Sequence, residues 1–196
     1  MMSNGNASLL VLALAVMLVG CGSASSRFYR LDTTATANNA PAVPTTVMVG
    51  PVSVPAAVDR PEFVVQVAPN RVEVEEFNRW AAPLDDSIAR AVAGDLSVLL
   101  ATPSVATAPL ADFNPAYNVT INVQRFESVR GEEALVDAVW TVRSATDGQT
   151  RSGRTIAREA VQGQGFDALA AAHSRAIAKL SSDIASAIRT EASGNM

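Results

Sequence analysis

A single cysteine, Cys21, occurs in this chain, and its place limits what the remaining residues can build. A lone cysteine closes no internal disulfide and forms no cysteine metal cluster. Just ahead of it, Ser8 to Val19 reads SLLVLALAVMLV, an apolar run of about a dozen residues. A helix spanning a bilayer needs roughly 20, so this run is too short. It has the length of the hydrophobic core of a secretory signal. An exported chain without disulfides is held together by its apolar core alone. The part after the signal is long enough for one domain of ordinary size.

Leu18-Val19-Gly20-Cys21 resembles a bacterial lipobox. The resemblance implies cleavage between Gly20 and Cys21, and diacylglyceryl and N-acyl groups on Cys21 as the only covalent additions, with no other cofactor. One acyl chain binds a membrane reversibly, whereas two or more hold it stably. Gly22 and Ser23 follow, with no Asp at the second position; by resemblance to Gram-negative sorting this implies the outer membrane, facing the periplasm. One feature departs from the usual signal, since Met1 to Asn6 carries no Lys or Arg.

The organisation read from the sequence has four parts: a signal peptide over 1–20, a lipidated N-terminus and connector over 21–46, one α+β domain over 47–190, and a frayed tail over 191–196. Thr33 to Thr46, TTATANNAPAVPTT, is small and polar with two prolines, and is expected to be a loop or mobile connector. Val47 to Val54 reads as a strand. Glu62–Val67 and Arg71–Glu75 form a second pair around the turn signal Pro69-Asn70. Val72 and Val74 alternate with Glu73 and Glu75, the pattern of a strand with one face in water.

After Pro83, Leu84, Ile88, Val92, Leu96 and Leu99 recur at helical spacing, with Asp85 and Asp86 at the positive end of the helix dipole and Thr102-Pro103 as the stop. Tyr117, Val119, Ile121 and Val123 alternate with polar residues, as do Val136, Ala138, Trp140 and Val142 on the next strand. Asp147-Gly148 signals a hairpin into Thr150–Val161, where alternation is weak. Phe166, Leu169, His173, Ile177, Leu180, Ile184 and Ile188 trace a last helix. The simplest burial of these patterns is an α+β fold: an antiparallel-rich mixed β-sheet with two amphipathic helices packed on one face.

The charge is mixed in sign along the chain, 15 basic against 19 acidic side chains, with no basic stripe. That argues against nucleic acid as a partner. His173 is the only histidine and lies on or beside an apolar helical stripe, which packing explains better than a triad or metal site. The adjacent pairs Glu75-Glu76, Asp85-Asp86 and Glu132-Glu133 do not place two carboxyls across a cleft. Arg151, Arg154 and Arg158 suit a solvated sheet edge, anionic lipid headgroups or an acidic partner. Trp140 reads as core. Trp80 has two readings, packing onto a helix start or facing a partner.

Several stretches together resemble the ABC-type transport auxiliary lipoproteins, a PqiC-like group. They are Cys21 followed by Phe28-Tyr29-Arg30-Leu31-Asp32, then Val49-Gly50-Pro51-Val52-Ser53-Val54-Pro55 and Asp59-Arg60-Pro61. Most specific is Asn78-Arg79-Trp80-Ala81-Ala82-Pro83-Leu84-Asp85-Asp86; Val123-Gln124-Arg125-Phe126-Glu127 and Val139-Trp140-Thr141-Val142 follow in the same order. The resemblance implies a non-enzymatic subunit that works with an MCE-domain protein and the ABC and permease components of a lipid transporter, with Phe28, Tyr29, Trp80 and Pro83 as candidate interface residues. The alternative class is a stand-alone carrier or chaperone for a lipid or other apolar molecule. Uncovered edge strands make a homo-oligomer a further expectation.

Overall fold

The alternation along Tyr117–Val129 makes the strand around which the sheet is organised. The computed structural model describes residues 25–37, 40–108 and 111–194. Its elements are β1 (Arg27–Tyr29), β2 (Val47–Ser53), β3 (Glu62–Ala68), β4 (Arg71–Trp80), α1 (Leu84–Leu100), β5 (Val105–Ala106), β6 (Tyr117–Val129), β7 (Glu133–Ser144), β8 (Thr150–Ala160) and α2 (Gly165–Gly194). Along one edge β6 runs antiparallel to β7 over its whole length, and β7 continues antiparallel into β8. Along the other edge it is parallel first to β2 and then to β3. Hairpin β3–β4 is antiparallel, β1 lies parallel to β4, and β5 lies parallel to β2. The long pairings are antiparallel, and shorter parallel ones join them into a single eight-stranded mixed sheet.

The sheet forks along β6. β2 leaves it at Asn122, opposite Ser53, and β3 joins it only at Ser128, opposite Val65. A bulge between Val123 and Arg125 falls in that gap. The extra residue lets Val123 and Phe126 both reach the core while Gln124 and Arg125 stay exposed.

Both helices lie against the same sheet face and against each other. Helix α1 starts at Pro83, whose carbonyl accepts the Ser87 amide at 3.0 Å. It ends on Ala101 in the left-handed conformation, φ 52°, where the Ala101 and Thr102 amides take the Val98 and Ser97 carbonyls that the last turn leaves free. Ile88, Leu96 and Leu100 of α1 meet Ile177, Leu180, Ile184 and Ile188 of α2 in the core, all fully buried. Full burial of side chains this size contributes about 1.5–3 kcal/mol each.

Three boundaries differ from the sequence reading. The folded body begins by Arg27 rather than Val47, because β1 is built into the sheet. The segment after it is a loop, as its composition requires, but it is tied down. The Val43 amide donates to the Leu100 carbonyl, the Thr102 hydroxyl donates to the Thr45 carbonyl, and Arg189 donates to the Pro41 carbonyl. At the other end α2 continues through Glu191 to Gly194, with Glu191 accepting from Arg151 at 2.8 Å.

The register also decides which side of β4 is turned to the helices. Phe63 and Val65 of β3 are completely buried, and register places Glu75 and Glu73 opposite them. Side chains in register share a face, so Val72 and Val74 are turned to the helix-free face, where they are 59% and 43% exposed. The alternation is real, but its apolar side stands in water, and Glu73 on the other side is exposed as well.

Candidate functional site

The residues singled out by sequence converge on the edge of the sheet where the described chain begins, and they divide there between core and surface. Gly20 and Cys21 lie outside the described residues. β1 sets Arg27, Phe28 and Tyr29 beside Asn78, Arg79 and Trp80. Alternation sends Tyr29 inward, 8% exposed, and leaves Phe28 66% exposed. Trp80 is 5% exposed, so its ring is spent inside the domain. Pro83 is exposed and serves as the residue from which α1 starts.

An aromatic cluster explains why the Asn78–Asp86 block is so particular. Phe63 stacks on Trp80 at 4.1 Å between ring centroids, and Tyr29 meets the edge of Phe63 at 5.4 Å. Phe166 at the start of α2 lies 5.2 Å from Phe63, and Phe126 lies 5.9 Å from Trp80. The Tyr29 hydroxyl donates to Asn78 Oδ1 at 3.0 Å, and the Ala81 amide donates to the Tyr29 carbonyl at 2.7 Å. Edge and offset ring contacts of this kind add to the burial they accompany. The cluster locks β1 to β4, and thereby the start of the described chain to the body.

His173 closes the cluster, stacked on Phe126 at 4.0 Å and 6°. Its Nε2 is 2.8 Å from the Ser128 hydroxyl, and its Nδ1 has no partner among the described residues. Burial alone pushes its pKa down to about 3, so it is neutral at ordinary pH. Chemically, this Ser–His pair differs from a nucleophile and base in two ways: among the described residues no carboxylate orients the ring, and both side chains are buried.

The other polar centre was not read from sequence. Asp95 sits in the middle of α1, fully buried. One carboxylate oxygen accepts the amides of Thr34 and Ala35 at 3.0 and 2.9 Å, and the other accepts the Ser181 hydroxyl of α2 at 3.0 Å. Burial raises its pKa, against the lowering effect of these three donors. The Asp32 amide donates to the Ser174 hydroxyl, and the Thr34 hydroxyl donates to the Ser174 carbonyl. Thr33 crosses α1 directly over Gly94, where a Cβ would stand 2.0 Å from its hydroxyl oxygen. Gly94-Asp95 in the interior of an amphipathic helix was the available signal, because glycine there costs about 1 kcal/mol against alanine.

The arginines of β8 are each matched. Arg154 makes a two-pronged pair with Asp137 at 2.8 and 2.7 Å, Arg158 meets Glu133, and Arg151 meets Glu191. The Arg154 guanidinium holds the Asp137 carboxyl below its usual range. Within the described residues no helix is long and apolar enough to cross a membrane, and no group of His, Cys, Asp and Glu is arranged to hold a metal.

On the helix-free face, Phe28 stands in register with Arg79, two residues beyond Phe77 on the same strand. Phe77 is 45% exposed. The β3–β4 pairing is irregular between Glu75 and Arg79, which resets the alternation, so that Phe77 joins Val74 and Val72 in an apolar stripe along β4. The far end of that stripe runs into a cleft of about 520 Å³ at the fork of the sheet, lined by Val58, Val64 and Phe126 as well as Arg60 and Arg71.

No protein of curated function matches the chain in sequence. Among solved structures, an uncharacterized protein aligns with TM-score 0.69 and 21% identity, over 84% of this chain and 99% of its own. Protein XCC0632 from Xanthomonas campestris aligns with TM-score 0.66 and 21% identity, over 81% of this chain and 92% of its own. At that identity the likeness is one of fold. A PelC dodecamer from Paraburkholderia phytofirmans aligns over 72% of this chain and 91% of its own at 18% identity, but with a TM-score of 0.38, too low to carry any argument. Residues 29–185, from the buried Tyr29 of β1 into the last turns of α2, match the family model of the ABC-type transport auxiliary lipoprotein component, and the chain belongs to that family.

Proposed function

We propose that this chain is a non-catalytic lipoprotein subunit of an MCE-type envelope lipid transporter. In this reading it is anchored by acyl groups on Cys21 to the outer membrane, faces the periplasm, and docks on the transporter's periplasmic parts. The observation that carries the reading is the family match across nearly the whole folded body. It is supported by the way β1 enters the sheet close behind the lipobox-like motif, which leaves little slack between anchor and domain. Self-association would use the sheet edges: β8 pairs on one side only, and unpaired strand edges invite pairing between copies.

The test is a crosslinked pull-down of the full lipoprotein from its native membranes, with proteins and lipids both identified. Recovery of an MCE-domain protein with its permease or ATPase is the expected result. In the same cells Cys21→Ser should release the protein from the membrane fraction. A second reading, a stand-alone carrier of an apolar molecule, draws on the cleft at the sheet fork. Bound lipid recovered without any transporter component would favour it.

A further inference from the structure

The apolar stripe on the helix-free face is covered by no other part of the chain among the described residues. Phe28, Phe77, Val74 and Val72 are the residues concerned, and each is at least 43% exposed. Singly, exposed apolar side chains are ordinary; aligned on one face they mark a contact surface. The register makes the alignment more telling. β4 carries its glutamates Glu73 and Glu75 on the helix side and its valines outward, opposite to what burial alone would favour. Cations stand at both ends of the stripe: Arg71 lines the cleft together with Val72 and Val74, and Arg27 precedes Phe28 at the start of β1. Both are exposed, and neither forms an ion pair among the described residues.

Chain length selects the occupant. Seven residue steps separate Cys21 from Phe28, which at full extension reach about 25 Å. A bilayer holding acyl groups on Cys21 therefore lies within that distance of the Phe28 end of the stripe. The aromatic cluster and the β1–β4 pairing fix Phe28 to the body, so the body cannot swing away independently of it.

We infer that the stripe Phe28–Phe77–Val74–Val72 is the surface through which the domain lies on the phospholipid bilayer that anchors it, with Arg27 and Arg71 in the headgroup layer. This rests on the lipid-anchor reading of Cys21. Apolar side chains at the interface with flanking cations suit the boundary between headgroups and acyl chains. The arrangement holds the helix-covered face, and the cleft at the sheet fork, in a fixed orientation to the membrane.

The test places a reporter in the stripe of the full lipidated protein. Phe28→Trp and, separately, Phe77→Trp are made and reconstituted into vesicles of phosphatidylethanolamine and phosphatidylglycerol. One set of vesicles contains phosphatidylcholine brominated near the carbonyl end of its acyl chains. Trp80 and Trp140 are buried and supply a constant background, which the parent protein measures. Ile156→Trp is the control: it is exposed on β8, beyond β3, β6 and β7 from the stripe.

The added emission of both stripe variants should fall by about half or more in brominated vesicles while that of Ile156→Trp is unchanged, as for side chains seated at the acyl boundary. If the protein floats with the vesicles and the stripe emission is not quenched, the inference is overturned and the anchor reading stands. If the protein does not float with the vesicles at all, the anchor reading fails, and the inference falls with it. A stripe that is unquenched but shielded by self-association, shown by Phe77→Ser reducing the mass seen in light scattering, would identify a second copy as the occupant instead.

Discussion

The Asp95 carboxylate accepts the Ser181 hydroxyl at 3.0 Å, joining α1 to α2 inside the core, and the same side chain holds the strap after β1 through two backbone amides. Removing it takes the acceptor from the Thr34 and Ala35 amides, while the Ser181 hydroxyl falls back on the Ile177 carbonyl at 2.9 Å and no longer ties the two helices together. Each such loss costs about 1–3 kcal/mol, less where water can enter. Asp95→Ala should therefore lower stability by about 3 kcal/mol. It should also expose residues 31–37 to protease under native conditions. Urea titration and limited proteolysis measure the two effects, and an Asp95→Ala protein with an unchanged midpoint would contradict the assignment.

Gly94 gives a prediction whose sign depends on Thr33. In an exposed helix interior, glycine to alanine stabilises by about 1 kcal/mol. Here the added Cβ meets the Thr33 hydroxyl oxygen at 2.0 Å, so the strap must lift. Gly94→Ala should destabilise the parent protein. In a Thr33→Gly background, where the obstructing side chain is gone, the same change should become neutral or stabilising. A double-mutant cycle by urea unfolding reads the coupling directly. Equal effects in the two backgrounds would mean that the strap does not sit where it is described.

Gly153 faces Trp140 across the β7–β8 pair, and a Cβ there would stand 2.2 Å from the indole ring. Valine is among the best strand formers, yet Gly153→Val should cost about 1–3 kcal/mol by overpacking. The Trp140 indole N–H donates to the Thr155 hydroxyl, which in turn donates to Asp183 on α2, so displacing the ring also loosens the sheet from the helix. A thermal midpoint that falls together with a shift in tryptophan emission is the expected result. A midpoint that rises would show the ring free to move aside.

That glycine also explains why β8 was hard to read. Its helix-side positions are Arg151, Gly153, Thr155 and Ala157, so hardly any large apolar residue marks the inward face. The two helices and the β6–β7 pair were legible, because Ile88, Ile177, Ile121 and Val136 recur with the period of their elements and are all buried. What stayed hidden depends on contacts between distant segments. The Asp95 strap joins residues about 60 positions apart, and the ring cluster draws Tyr29, Phe63, Trp80, Phe126 and Phe166 from five places in the chain. Periodicity reports which side of a strand is apolar, not which side is covered. For that reason the alternation of Val72 and Val74 with Glu73 and Glu75 does not say which side is covered, and the stripe that the valines form with Phe28 and Phe77 follows only from the β3–β4 register.

His173 makes the protein's response to acid testable. Its pKa is about 3 in the folded protein, lowered by burial, against 6.5 for an unperturbed histidine. Above pH 6.5 the ring is neutral whether the chain is folded or not, and its contribution to stability is fully present. Between about pH 6.5 and 3 the unfolded chain binds a proton that the folded protein refuses, so stability falls as the pH falls, at up to about 1.4 kcal/mol per unit. The raised Asp95 carboxyl works in the opposite direction in its own range, since there the folded state holds the extra proton. His173→Phe keeps the ring stacked on Phe126 but cannot titrate. Comparing the two proteins by urea unfolding from pH 7 to pH 4 cancels Asp95, which both retain. The parent should lose the more stability of the two as acid is added. The Ser128 hydroxyl, left unpaired by the substitution, should lower the variant by a similar amount at every pH. Parallel curves would mean that the ring takes up its proton inside the fold, and that the aromatic cluster is open to water where the structure shows it closed.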